Sequence, residues 1–506
     1  MNALPRIFIV LAMFCFAFLP GSAQDRSSDA VESKIDALLQ QMTVREKAGQ
    51  LAQYDAVTPE HMELVKKGEV GSMFNVLGAE NTNEVQKVAL EHSRLKIPIL
   101  FAYDVIHGYR TVFPVPIASA GSFDPEMIEQ SERVAAKEAT AAGIKWAFAP
   151  MVDIARDPRW GRMVEGAGED PYLGSIVAAA RVRGFQGKNL ADPQSLLACL
   201  KHYVGYGAVE GGRDYNTAEI SMQTLREVYL PPFHAGVKAG AATIMSAFQD
   251  LNGIPASANH FTLTEVLRGE WGFQGPVVSD YSSVNELTVH AIAHDQVEAA
   301  ELAIMAGVDM DMADGLYGKY LPDLAQSGKV PMSVLDEAVR RVLRAKFEAG
   351  IFDNPYTDPK RAASEILSAE NRAVARKMAQ ESITLLKNDG NLLPLDKNTK
   401  TIALIGPLVD DKANQLGSWV ANGQAKDAVT PLAGIKAKVP QAKILVSRGT
   451  DLDTRSSHTG AGTAPAPVSA TGAAAVDQPT GPTSIEDAVK TAKMADVVVL
   501  FLGEPS

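Results

Sequence analysis

At 506 residues the chain is too long for one ordinary domain, and with 46% hydrophobic residues it can bury a large core. Its net charge is −12, and Lys and Arg are scattered without a basic stripe or arm, which excludes nucleic acid and membrane surfaces as partners and favours a neutral substrate. Cys15 and Cys199 are too few for a disulfide framework.

The first 23 residues read as a secretory signal. Arg6 supplies the positive charge, Ile7 to Leu19 form an apolar run too short to span a bilayer, and Gly21-Ser22-Ala23 offers the small residues that a signal peptidase needs. Cleavage after Ala23 removes Cys15, so no intramolecular disulfide remains. Cys15 also lacks the small residues just before it that mark a lipoprotein signal. A free periplasmic or secreted protein is therefore expected. No other stretch reaches transmembrane length.

Beyond the signal, Ile35, Leu38, Leu39 and Met42 recur at helical spacing, and Thr43 with Glu46 makes a capping-box pattern for a second helix. From about residue 70 short apolar runs alternate with longer amphipathic segments. The runs are VGSMFNV (70–76), PILFAYD (98–104), WAFAPMVD (146–153), SLLACLKHY (195–203), ATIMSAFQD (242–250), GPVVSDY (275–281) and GVDMDMAD (307–314). Buried parallel strands have this form. Seven or eight such units predict an α/β fold whose N-terminal part, 24–353, is a (β/α)8 barrel. Asp104, Asp153, Lys201 with His202, Asp250, Asp280 and Asp314 each follow an apolar stretch, and barrel active sites are built at such strand ends.

A helix capped by Ser333, with Leu335, Val339, Val342, Leu343 and Phe347 on one face, is predicted to close the barrel, and Gly350 to end it. Residues 354–395 read as a linker and connecting helix. TIALIGPL (401–408), KILVSRG (443–449) and DVVVLFLGE (496–504) are predicted strands of a second α/β domain, 396–506, interrupted by the low-complexity segment 454–483. The last apolar strand stops just before the end of the sequence, so this domain is expected to be incomplete.

Three places carry candidate chemistry. Asp280, at the end of a buried run, suits a nucleophile held ionised on a rigid strand end, or equally a helix N-cap. Lys201 and His202 are adjacent and so point to opposite faces of a strand, unless the strand ends and turns there. Arg162 lies in a loop with Glu165, Glu169 and Asp170, where it serves an ion pair or presents a planar donor fork to a polyol. His290 and His294 have the spacing of a zinc pair but lack the glutamate between them that a zinc-hydrolase helix needs. EGAGED does not follow a strand with dinucleotide spacing, and no phosphate loop is present. No metal and no cofactor are expected.

The stretches MTVREKAGQL, FAYDVIHGYRTVFP, APMVDIARDPRWGRMVEGAGEDPYL, KHYVGYGAVEGGRDYNT, LNGIPASAN, WGFQGPVVSDY, AGVDMDM and RRVLRAKFEAGIFDNPY resemble glycoside hydrolase family 3, especially its bacterial periplasmic β-glucosidases. The likeness runs in order from Thr43 to Tyr356 and continues weakly to Gly503. It implies a retaining, exo-acting β-glucosidase with Asp280 as nucleophile and with Asp104, Arg162, Lys201 and His202 on the hydroxyls of the terminal sugar. It also implies an acid/base glutamate shortly after Gly503-Glu504, beyond Ser506. Two positions depart from the pattern: Phe248 stands where many relatives place Tyr, and Tyr281 where they carry His or Trp.

Within the resemblance, a β-N-acetylhexosaminidase would need a histidine where GGRDYNT has Tyr215 and Asn216, and β-xylosidases tend to carry Glu at the position of Asp104. A metal-dependent barrel hydrolase using His107, His202 and Asp280, and a non-catalytic sugar-binding protein, are the readings from other classes. The expected partner is a small oligosaccharide or β-glucoside. Oligomeric state is not set by the sequence.

Overall fold

The computed structural model describes residues 23–451 and 484–503. Most of the predicted signal, 1–22, the low-complexity segment 454–483 and Glu504 lie outside the described residues. The first helix, Ala23–Gln41, buries Ile35 and Leu39, with Leu38 packed against the same core. The second, Val44–Gln50, starts on the expected capping box: Thr43 accepts from the Glu46 amide, and Glu46 accepts from the Thr43 amide at 2.8 Å.

One strand follows that helix at once and is absent from the apolar pattern. This is β1 (Ala52–Asp55); after it come β2 (Ser72–Phe74), β3 (Leu100–Tyr103), β4 (Trp146–Ala147), β5 (Cys199–Tyr203) and β6 (Thr243–Ser246). A hairpin of β7 (Asp250–Leu251) and β8 (Ile254–Pro255) precedes β9 (Val277–Val278) and β10 (Asp311–Met312). The parallel sheet β10-β1-β2-β3-β4 meets the parallel sheet β5-β6-β9 through bridges Trp146 to Leu197, Met151 to Lys201 and Val278 to Met310. Among the described residues these eight parallel strands close into a ring, the β/α barrel expected from the alternating pattern. In β1 the buried Gln53 donates to the Ser72 hydroxyl at 2.7 Å, which donates to the Leu100 carbonyl at 2.6 Å. The neighbouring strands thus take up the Gln53 amide N–H and the Ser72 hydroxyl of this polar pair.

Helix Met332–Glu348 closes the barrel with Leu335, Val339, Val342 and Leu343 buried. Its N-cap is Pro331, not Ser333: the amides of Val334 and Leu335 already close onto the Pro331 carbonyl at 3.0 and 3.3 Å, which puts Ser333 inside the first turn. Gly350, at φ 70°, follows the C-cap Ala349. Lys346 of this helix is wholly buried, its amine donating to Gln50 Oε1 at 2.7 Å and the Pro98 carbonyl at 2.8 Å.

In the second domain β11 (Thr401–Ile405) lies between β12 (Lys443–Ser447) and β13 (Val497–Leu500), all parallel. The loop after β3 ties this domain to the barrel. Arg110 pairs with Asp427 at 2.7 Å, and the Asn422 amide donates to the Tyr109 carbonyl at 2.9 Å. Beneath them Glu138, wholly buried, accepts from the amides of Arg110, Thr111 and Leu367, the Thr111 hydroxyl and the Asn371 side chain, at 2.6 to 2.9 Å. Residues 417–424 are thereby laid over the end of the barrel where the strands finish.

Candidate active site

In a closed parallel barrel the C-terminal strand ends converge on one mouth. Asp104 follows β3 directly, Lys201 and His202 lie within β5, and Asp280 comes two residues after β9. The pairing of β5 with β6 shifts register between Leu200 and Tyr203, and the heads of Lys201 and His202 both reach the mouth. The structure brings all five predicted site residues together.

Lys201 donates to Asp104 Oδ1 at 2.7 Å. Burial lowers the Lys201 pKa, but Asp104 and Glu165 outweigh it and hold the amine above its ordinary value, so Lys201 is charged. Arg162 forms the ion pair that the sequence left open, with Glu165. Its Nε donates to Glu165 Oε1 at 2.7 Å, and its Nη2 reaches His202 Nε2 at 2.8 Å. Glu165 is itself buried, yet Arg162 and Lys201 hold its carboxyl below the usual range. His202 donates from Nδ1 to Asp153 Oδ2 at 2.8 Å, and that oxygen also accepts the His202 amide at 2.9 Å. Burial, then Arg162 and Lys201, push the imidazole well below its usual pKa, so it is neutral. Burial pushes Asp153 up to about 8.

Asp280 is buried. Its Oδ1 accepts the Tyr281 amide at 2.8 Å, while Oδ2 accepts no hydrogen bond from the described residues and lies 3.4 Å from His202 Nε2. Burial raises its pKa to about 6 against the pull of Arg162 and Lys201, so it is mostly ionised at neutral pH. The site holds an ionised carboxylate with one oxygen uncommitted, two fixed cations and a neutral imidazole, a set suited to attack on a neutral polar substrate.

Three contributors escaped the sequence reading as site groups. Asp153 was visible only as a strand-end acid with no signal for its partner, and Glu165 only as one of three loop acids that could pair with Arg162. Trp419 had no signal at all: it comes from the second domain, its indole N–H donates to Glu165 Oε1 at 2.9 Å, and its ring lies 5.5 Å from Lys201 Nζ and 5.9 Å from Arg162 Cζ. Phe248 packs between Tyr215, at 4.8 Å, and His202, at 6.4 Å, as an apolar wall. Tyr281 meets Phe74 edge-on at 6.1 Å. Glu286, in the turn after Asp280, is raised to about 7 by burial and by Asp280 and Asp314.

The metal reading finds no geometry. His107 turns both ring nitrogens to carbonyl oxygens, and among the described residues no group of three or more His, Cys, Asp and Glu is disposed to hold an ion. His290 lies in a turn and His294 in a bend, neither of them on a helix. No helix of the described residues is long and apolar enough to cross a membrane.

Residues 43–345 match the Glycosyl hydrolase family 3 N terminal domain, and residues 383–506 the Glycosyl hydrolase family 3 C-terminal domain. The chain belongs to glycosyl hydrolase family 3. It is 44% identical over 487 residues to the periplasmic beta-glucosidase of Salmonella typhimurium, which takes in 94% of this chain and 63% of that relative. It is 33% identical to a beta-xylosidase of Formosa agariphila, over 98% of this chain and 64% of the other. The crystal structure of beta-glucosidase from Listeria innocua in complex with isofagomine matches it with a TM-score of 0.83 at 36% identity, over 93% of this chain and 64% of that one. The chain thus spans under two thirds of the length of these relatives.

Proposed function

We propose that this family 3 protein is a retaining exo-acting β-glucosidase that removes terminal non-reducing β-D-glucosyl residues through a covalent glycosyl ester on Asp280. The observation that carries the reading is the buried Oδ2 of Asp280, unpartnered among the described residues and set between a histidine and two cations. Oδ2 attacks the anomeric carbon as the glycosidic oxygen departs with a proton, and water then releases the sugar from the ester. Asp104, Arg162, Lys201 and His202 hold the sugar hydroxyls. By the family resemblance, the acid/base glutamate belongs several residues after Gly503-Glu504.

Glucose is favoured by the Salmonella and Listeria relatives, both β-glucosidases, and by Asp104, whose shorter side chain leaves room for a hydroxymethyl group that xylose lacks. The leader pattern and the periplasmic Salmonella relative support a periplasmic or secreted location. Brief exposure of the protein to 2,4-dinitrophenyl β-glucoside, whose leaving group departs without acid help, should add one hexose to a peptide containing Asp280, read by mass spectrometry. Turnover with the label on another residue, or none on any, would sink the assignment.

A further inference from the structure

His107 stands in the loop after β3, is 3% exposed, and meets two carbonyls: Nδ1 lies 2.7 Å from that of Phe113 in its own loop, and Nε2 lies 2.6 Å from that of Ser418 in the second domain. The residue after Ser418 is Trp419, whose ring flanks Lys201 and Arg162 and whose indole N–H is held by Glu165. Two features mark this approach as tightly fixed. At Gly417, with φ 79°, a Cβ would come within 2.7 Å of Val115 Cγ1, so only glycine lets the segment lie this close to the loop. Trp419 itself has φ 55°, a left-handed conformation that a bulky residue keeps only when its surroundings hold it there.

We propose that His107 is a positioning residue: through Nε2–H to the Ser418 carbonyl it sets Trp419 as a wall of the sugar site. The inference rests on the glucosidase reading for its effect on substrate, but the clasp itself does not. Burial holds the ring below its ordinary pKa although both carbonyls favour the charged form; Arg181 opposes that charge and Glu165 supports it. Carbonyl oxygens only accept, so each contact needs an N–H from the ring, and the clasp requires that Nε2 carry one.

Two amide substitutions separate the clasp from a role within the loop. His107→Gln keeps a donor near the place of Nε2, and His107→Asn keeps one near the place of Nδ1, which reaches only the Phe113 carbonyl. The expected result is that Gln preserves, and Asn loses, the Trp419 fluorescence component, defined as the difference from Trp419→Phe in each background. With 2,4-dinitrophenyl β-glucoside, KM should rise about fivefold to tenfold in the Asn variant, with kcat changing much less, while Gln stays near the parent. Equal behaviour of the two variants, or the reverse order, overturns the proposal. Nitrogen-15 spectra of the histidines in the unaltered protein give an answer independent of the variants' folding. A proton on Nε2 of His107 is expected, and one confined to Nδ1 refutes the clasp. If no glucoside is turned over by the parent protein, the fluorescence and nitrogen-15 results still decide the clasp, and only the function above falls.

Discussion

Arg162 reaches His202 Nε2 at 2.8 Å, and this contact determines what His202 does for Asp280. A nitrogen that accepts from a guanidinium carries no proton, so the imidazole proton sits on Nδ1, facing Asp153. At 3.4 Å Nε2 then has nothing to donate to Asp280 Oδ2. The carboxylate oxygen keeps its lone pairs for the substrate, and Asp153 acts at one remove by fixing the tautomer.

Replacing Asp280 by Asn should lower kcat by about 10⁴-fold or more without loss of fold, because the amide is isosteric but cannot form the ester. Steady-state rates and a melting curve measure the two halves of this statement. A variant with a tenth of the parental rate would make Asp280 a structural cap.

The rate should depend on Asp280 ionisation. Its pKa is raised to about 6, so the nucleophile is competent above that value and is lost as the pH falls through it. The acid limb of kcat/KM for 2,4-dinitrophenyl β-glucoside should therefore lie near 6. Lys201 pulls that value down, so Lys201→Met should move the limb of the residual activity upward. A limb at the ordinary aspartate value would contradict the burial argument.

Asp104→Ala should cost more on glucosides than on xylosides. A hydrogen bond from a neutral hydroxyl to a charged group contributes about 1.5–3 kcal/mol, and the proposed partner hydroxyl is absent from xylose. The variant also strips Lys201 of its ion-pair partner, which affects both sugars equally. Equal loss in kcat/KM on the two substrates would assign Asp104 to a feature they share.

Trp419→Ala should raise KM about threefold to tenfold, the range expected for an aromatic contact, while the melting temperature of the barrel stays in place. An unchanged KM would mean that the ring is spectator to the sugar.

Lys346 allows a test of stability alone. Its pKa is lowered to about 7 by burial, so between that value and the ordinary lysine value the unfolded chain binds more protons, and stability rises with pH from about 7 upward. The slope should approach about 1 kcal/mol per pH unit in urea unfolding. Lys346→Met should abolish that contribution and cost about 1–3 kcal/mol for each acceptor, Gln50 Oε1 and the Pro98 carbonyl, left without its donor.

Asp280, Asp104, Lys201 and His202 could be found in the sequence because a parallel barrel writes its active site as polar residues after apolar runs, a purely local pattern. β1 could not, since Gln53, Tyr54 and Asp55 look like a turn until Ser72 is beside them. Ser333 was misread as a cap because a serine before an apolar helix is the usual signal, and only the carbonyl of Pro331 shows that the helix has already begun. Trp419 lies in another domain, so its place by Lys201 depends on tertiary docking and leaves no periodic trace. The pairing of His202 with Asp153 and with Arg162 was invisible because it joins residues 40 or more positions apart, whereas the pair of Arg162 with Glu165 is three residues apart and was one of the roles read from the loop.

Glu138 bears on how these proteins diversify. Its carboxylate collects donors from the loop after β3 and from Leu367 and Asn371 in the connecting segment, so one buried side chain sets both where that loop stands and where the chain leaves the barrel. A chimera that grafts a foreign second domain at a junction beyond Asn371 inherits this anchorage, whereas one joined before Leu367 must supply replacement donors or leave a buried charge short of partners. The natural seam for exchanging modules therefore falls after the connecting helix has begun, not at the end of the barrel.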